Sequence, residues 1–139
     1  MDNSAGFISV CSGIEAVSEA WRDLSLRPVL YSEIEAFPIA VLTQRHAAVC
    51  VHRSSPAGSV PLWGDFTTIR IRHLLRLGVD LEAMDILVGG TPCTDFSMAG
   101  LRQGIAGARG GLTLHFVRLA NAIDNFRRHR GLSPLIICW

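Results

Sequence analysis

The most reactive arrangement in this sequence is a cysteine that follows an apolar run. Met84-Asp85-Ile86-Leu87-Val88 leads into Gly89-Gly90-Thr91-Pro92-Cys93-Thr94-Asp95-Phe96-Ser97. A short buried strand that empties into a small-residue loop is where an open parallel sheet presents its reactive groups. Pro92 fixes its own φ and pushes Thr91 towards an extended conformation, which limits where the next thiol can point. Most lone cysteines are buried and structural. The Gly, Pro, Thr, Asp and Ser around Cys93 instead predict an exposed loop and a nucleophile. Cys11, Cys50 and Cys138 are far apart with no C-x-x-C pair, so neither a disulfide frame nor a thioredoxin motif is indicated. His46, Cys50 and His52 lie close in sequence but lack a fourth partner at zinc-like spacing, and no metal site is expected.

A second chemical group is Glu33, just past the apolar run Val29-Leu30-Tyr31. An acid at such a strand end can accept the ribose hydroxyls of a nucleoside, although a solvent-exposed loop acid is an equally ordinary reading. Dinucleotide binding would show G-x-G-x-x-G after the first strand. Only Gly13 stands there, followed by Ile14-Glu15-Ala16, so a pyrophosphate cradle and a nicotinamide enzyme are disfavoured. A cysteine phosphatase would need Arg six positions after Cys93, where the chain has Ala99.

The elements that must position these groups alternate. Gly6 to Val10 reads as a first strand. A helix follows Cys11-Ser12-Gly13, with Ile14, Val17, Ala20 and Trp21 spaced as one buried face. Pro28 breaks the connection before the strand Val29-Leu30-Tyr31. A helix over Ala36 to His46 carries Phe37, Ala40, Val41 and Gln44 on one side. Ala47 to His52 is a weak third strand, and the Ser- and Pro-rich stretch Arg53 to Pro61 a loop. A short helix over Ile71 to Leu77 ends at Gly78, the position expected of a C-cap. After the strand Met84 to Val88 and its loop, a long helix from Leu112 carries the stripe Phe116, Leu119, Ile123, Phe126. Pro134 to Cys138 is a last buried strand. Strands alternating with helices predict an α/β fold: an open, mostly parallel sheet with helices on both faces.

At 139 residues and 49% hydrophobic, the chain is one globular domain with enough apolar material for a core. A net charge of +1 gives no global electrostatic case for nucleic acid. The runs Arg70-Ile71-Arg72-His73 and Arg127-Arg128-His129-Arg130 read as solvated helix faces. No apolar run reaches membrane-spanning length, and the polar start is no signal peptide, so no membrane partner and a cytoplasmic location are expected.

The loop Asp85 to Gly100 resembles the catalytic loop of the DNA cytosine-5 methyltransferases, with Pro92-Cys93 followed by Phe96-Ser97 and Thr94 in place of the usual Gln. Further similar blocks stand in the family's order at Phe7 to Trp21, Tyr31 to Phe37, Trp63 to Ile69 and Gly107 to Ile123, ending in Leu135 to Trp139. The resemblance implies a Rossmann-like, S-adenosylmethionine-dependent fold and methyl transfer to carbon 5 of cytosine in double-stranded DNA, with Cys93 as nucleophile. It implies cofactor contacts from the turn Cys11, Ser12, Gly13 and Ile14, where two of the three marked positions of the family's Phe-x-Gly-x-Gly are changed. Glu33 would hold the ribose and Ile34 pack on the adenine. Asp65 would accept the adenine amino hydrogens, with Phe66 beside the ring and Pro92 nearby; Asp65 has a helix N-cap or turn as its plain alternative. Thr94, Phe96, Ser97 and Arg109 fall at DNA-contacting or loop-holding positions.

The family's base-binding glutamate would come directly after Trp139. Residues 1–139 are therefore expected to be the amino-terminal part of the catalytic domain, truncated after the fifth strand and without the DNA-recognition domain. Activity of the chain alone is not expected. The alternatives are a non-catalytic cofactor-binding fragment, or a split-enzyme subunit completed by a carboxy-terminal chain. An exposed edge at Leu135 to Trp139 would favour homo-oligomers.

Overall fold

The computed structural model describes residues 4–51, 56–91 and 110–139. Six strands form one sheet: β1 Ala5–Val10, β2 Leu26–Ser32, β3 Ala48–Cys50, β4 Val60–Trp63, β5 Met84–Gly89 and β6 Ile136–Cys138. All their pairings are parallel, in the order β3-β4-β2-β1-β5-β6. The helices are α1 Ala16–Ala20, α2 Ala36–Arg45, α3 Ile71–Arg76 and α4 Gly110–Arg128, with a 3-10 turn at Phe66–Thr68. This is the expected open α/β, Rossmann-like architecture.

Both faces of the sheet are covered because the central strands alternate apolar residues to each side. Ile8, Val10, Leu30 and Leu87 join Phe66, Leu74, Phe116, Leu119 and Ile123 in one core under α3 and α4. On the other face Tyr31, Leu42, Ala48 and Leu62 form a smaller cluster under α2. Phe7 meets Trp21 edge-on at 5.3 Å. Helix α3 ends as its glycine requires: Gly78 takes φ 75, with Val79 N bonded to Leu74 O and Gly78 N to Leu75 O, the double closure of a Schellman turn.

Several expectations are corrected. The sheet has a sixth strand, because β4 runs through Val60 and Pro61, which the sequence assigned to a loop. Pro61 is tolerated because β2 pairs with β4 only from Leu62 onward. Pro28 lies inside β2, where the register beside β1 shifts between Phe7 and Ile8. The predicted faces of the first two helices are wrong. Ile14 is 55% and Phe37 74% exposed; α1 buries nothing fully and α2 buries Leu42. Strand β6 is exposed at all three residues rather than buried.

The basic run at the end of α4 is not a solvated face throughout. Arg127 is 1% exposed and donates to the carbonyls of Leu81, Glu82, Met84 and Ser133, and pairs with Asp85 at 2.6 Å. It pins α4 to the start of β5.

Candidate functional site

The carboxyl ends of four neighbouring strands open into one cavity of about 300 Å³, at the low end of the range for ligand sites. Cys11 follows β1, Ser32 and Glu33 close β2, Gly64 to Phe66 follow β4, and Gly90 follows β5, with Leu112 of α4 as a wall. The strand order reverses at β1, between β2 and β5, and the cavity lies outside that switch point, where open α/β sheets bind ligands.

Short hydroxyl side chains tie these strand ends together. Ser12 Oγ donates to Ser9 O at 3.0 Å and approaches Ser32 O at 3.3 Å, while Ser32 Oγ donates to Gly64 O at 2.5 Å. Glu33 is 8% exposed. Its Oε1 accepts from Ile34 N at 2.8 Å and Glu35 N at 2.9 Å, and its Oε2 from Gly13 N at 2.8 Å. Of the roughly four acceptor positions of a carboxylate, three are taken, and the open one is on Oε2. Such a group orders two loops and still offers an acceptor to a hydroxyl.

Ile34 is 68% exposed, and the cavity uses it as a wall, an apolar surface suited to a flat ring. Asp65 caps the 3-10 turn by accepting from Thr67 N at 2.9 Å through Oδ1, so the plain alternative for this residue is also present. Phe66 belongs to both the core and the cavity wall. Cys11 lines the cavity with a left-handed φ of 52. Burial first, then the charges of Glu33 and Asp65, push its thiol up to about 11, so it stays protonated and cannot compete as a nucleophile.

Of the predicted cofactor residues, Cys11, Glu33, Ile34, Asp65 and Phe66 are brought together. Ser12 and Gly13 act behind the wall, and Ile14 points to solvent rather than into the cavity. Pro92, Cys93, Thr94, Phe96, Ser97 and Arg109 lie outside the described residues. Sequence reasoning missed Glu15, which is 0% exposed beneath the Cys11 turn. The signal was available: a glutamate where the family's pattern has glycine. The donor set fits a nucleoside cofactor, with a buried acceptor, an apolar wall and an acid at the far side.

The family model for C-5 cytosine-specific DNA methylases matches residues 5–125. A protein named DNA N-6-adenine-methyltransferase from Escherichia phage P1 is 46% identical over 131 residues, covering 94% of this chain but 16% of that protein. The type II methyltransferase M.AquIA of a Picosynechococcus strain is 33% identical over 85 residues, 60% of this chain and 34% of that one. The chain thus spans a sixth to a third of the length of these two relatives. Among solved structures, a DNMT2 variant from Spodoptera frugiperda superposes with a TM-score of 0.57 at 16% identity, covering 88% of this chain and 33% of that one. That likeness concerns the fold. Family and fold together imply S-adenosylmethionine as the cofactor. With a matched family model over most of its length and the matching sheet, this chain belongs to the C-5 cytosine-specific DNA methylases.

Proposed function

We propose that these residues form the cofactor-binding, amino-terminal part of a DNA methyltransferase that modifies carbon 5 of cytosine. The observation that carries this reading is the cavity at the ends of β1, β2, β4 and β5, with Glu33 fixed at its base. Glu33 holds a ribose hydroxyl, Ile34 and Phe66 flank the adenine, and Asp65 accepts from its amino group. Cys11 meets the methionine end, backed by Ser12 and Gly13, while Ile14 takes no part; Pro92 is assigned to the same end by the family resemblance. When bound, S-adenosylmethionine supplies an electrophilic methyl group.

Carbon 5 of cytosine is too poor a nucleophile to take that methyl unaided. Addition of the Cys93 thiolate at carbon 6 makes carbon 5 enamine-like, and loss of the carbon 5 proton after transfer expels the thiolate again. In sequence Cys93 stands three residues past Gly90, which lines the cavity, and the thiol of Cys11 is held protonated. Thr94, Phe96, Ser97 and Arg109 are assigned to the DNA side, where the base must leave the stack. DNA recognition and the base-binding glutamate are assigned to protein outside these residues. Among the described residues no helix is long and apolar enough to cross a membrane.

The phage P1 relative's name says adenine N6, a reaction in which the amine attacks directly and no thiol is needed. Because this chain matches 16% of that protein, its printed activity need not reside in the shared part. Mass spectrometry of nucleosides from DNA methylated by the protein, supplied with the complementing carboxy-terminal part, tests the choice. We expect 5-methylcytosine that disappears in Cys93→Ala, and a covalent adduct on DNA carrying 5-fluorocytosine. N6-methyladenine unaffected by Cys93→Ala would overturn the reading. The exposed outer side of β6 supports a second feature of the proposal: further protein, from the same polypeptide or a second chain, completes the sheet there.

A further inference from the structure

We propose that Glu15 is the positioning residue of the cofactor turn, its carboxylate anchoring the turn from below so that Gly13 can fix Glu33. The inference rests on the reading of the cavity as a nucleoside-cofactor site. Three residues of this short turn are left-handed: Cys11 at φ 52, Gly13 at φ 56 and Glu15 at φ 63. Glycine adopts that conformation freely; a glutamate there is strained. Strain of this kind persists only where surrounding contacts over-determine it.

The contacts are specific. Glu15 Oε2 accepts from Ser9 Oγ of β1 at 2.9 Å, and Oε1 from Ser18 Oγ of α1 at 3.0 Å. Ser18 Oγ lies 3.3 Å from the Tyr31 hydroxyl of β2, and the Tyr31 ring meets His46, the C-cap of α2, edge-on at 6.3 Å. Glu15 N closes the turn on Ser12 O at 3.0 Å. A side chain that points inward from the cavity turn therefore links β1, α1 and β2. The same turn sends Gly13 N to Glu33 Oε2. Burial raises the Glu15 carboxyl above its ordinary value, and a neutral amide of the same shape can keep both serine contacts.

Four variants separate anchoring from strain. If the left-handed backbone alone mattered, Glu15→Gly would relax the turn and bind cofactor at least as well as wild type. Anchoring predicts that Glu15→Gly and Glu15→Ala lose about tenfold in S-adenosylmethionine affinity by calorimetry, roughly the worth of one hydrogen bond. Glu15→Gln should stay close to wild type, since its amide donates to one serine and accepts from the other. Hydrogen exchange gives a readout without cofactor: the Gly13 amide should lose protection in Glu15→Gly and Glu15→Ala while the Leu87 amide keeps it. Should Leu87 protection collapse as well, the variants are unfolded. Ser9→Ala/Ser18→Ala then decides, with selective loss at Gly13 expected.

Unchanged Gly13 protection in folded variants would overturn the proposal, as would wild-type affinity in Glu15→Gly. If the wild-type protein binds no S-adenosylmethionine, the cofactor reading falls, and the Gly13 exchange still judges Glu15.

Discussion

Cys11 is the thiol among the described residues that lines the cavity, and its surroundings set it apart from Cys50 and Cys138. A thiolate at Cys11 would sit half-buried beside the carboxylates of Glu33 and Asp65, and its pKa rises to about 11. Cys50 and Cys138 are exposed. Iodoacetamide at mildly alkaline pH should therefore label Cys50 and Cys138 well before Cys11, whose rate should keep climbing as the pH approaches about 11. Peptide mapping by mass spectrometry reads all three positions in one experiment. Equal labelling of Cys11 at neutral pH would mean that its burial and its acidic neighbours are misplaced. Adding cofactor offers a second check, since a ligand in the cavity should slow Cys11 without touching Cys138.

At the scale of elements, the join between α4 and β5 depends on a buried guanidinium. Four backbone carbonyls and the Asp85 carboxylate converge on Arg127. Truncation leaves carbonyls at the start of β5 without donors, so Arg127→Ala should lose about 3–5 kcal/mol by urea denaturation. Arg127→Lys should recover little, because a single ammonium cannot reach carbonyls spread round a planar fork. A loss below about 1 kcal/mol would contradict that role.

Arg127 also shows where the sequence misleads. In Arg127-Arg128-His129-Arg130 nothing marks the first residue as buried, since the carbonyls that need it belong to residues 81, 82, 84 and 133. The strands β1 and β5 and the stripe on α4 were legible because continuous apolar runs and a period near 3.6 are local signals. Strand β4 was not, because Pro61 and the preceding serines outweighed Val60 and Leu62, and only the parallel pairing with β2 and β3 makes them a strand. The helix faces failed similarly: the α1 pattern gave Ile14 to the core, yet the left-handed turn rotates it outward and brings Glu15 in. Glu33 and Asp65 were legible as acids at strand ends. That Glu33 spends most of its acceptors on backbone amides depends on the fold of Gly13 twenty residues away.

Across the whole molecule, the carboxyl ends of the strands hold the candidate site and the two sheet edges differ sharply. The β3 edge is short and ends in exposed Cys50. On the β6 edge, Ile136, Ile137 and Trp139 are 57%, 54% and 62% exposed, with no strand on the outer side among the described residues. Trp139 is tethered, stacking on Phe116 at 6.1 Å and donating to Thr91 Oγ1, so it holds a flat apolar surface in place. An ordered, apolar, open strand is a template for pairing with another chain. A net charge of +1 provides little repulsion between copies. The isolated chain should therefore associate in a concentration-dependent way, and Ile137→Lys should suppress this by placing a charge in the shared face. Sedimentation velocity over a wide concentration range reads both. A protein segment that supplies the next strand should compete with self-association and leave Glu33 and its cavity untouched. A wild-type chain that stays monomeric at every concentration would show that the exposed β6 edge does not recruit a partner.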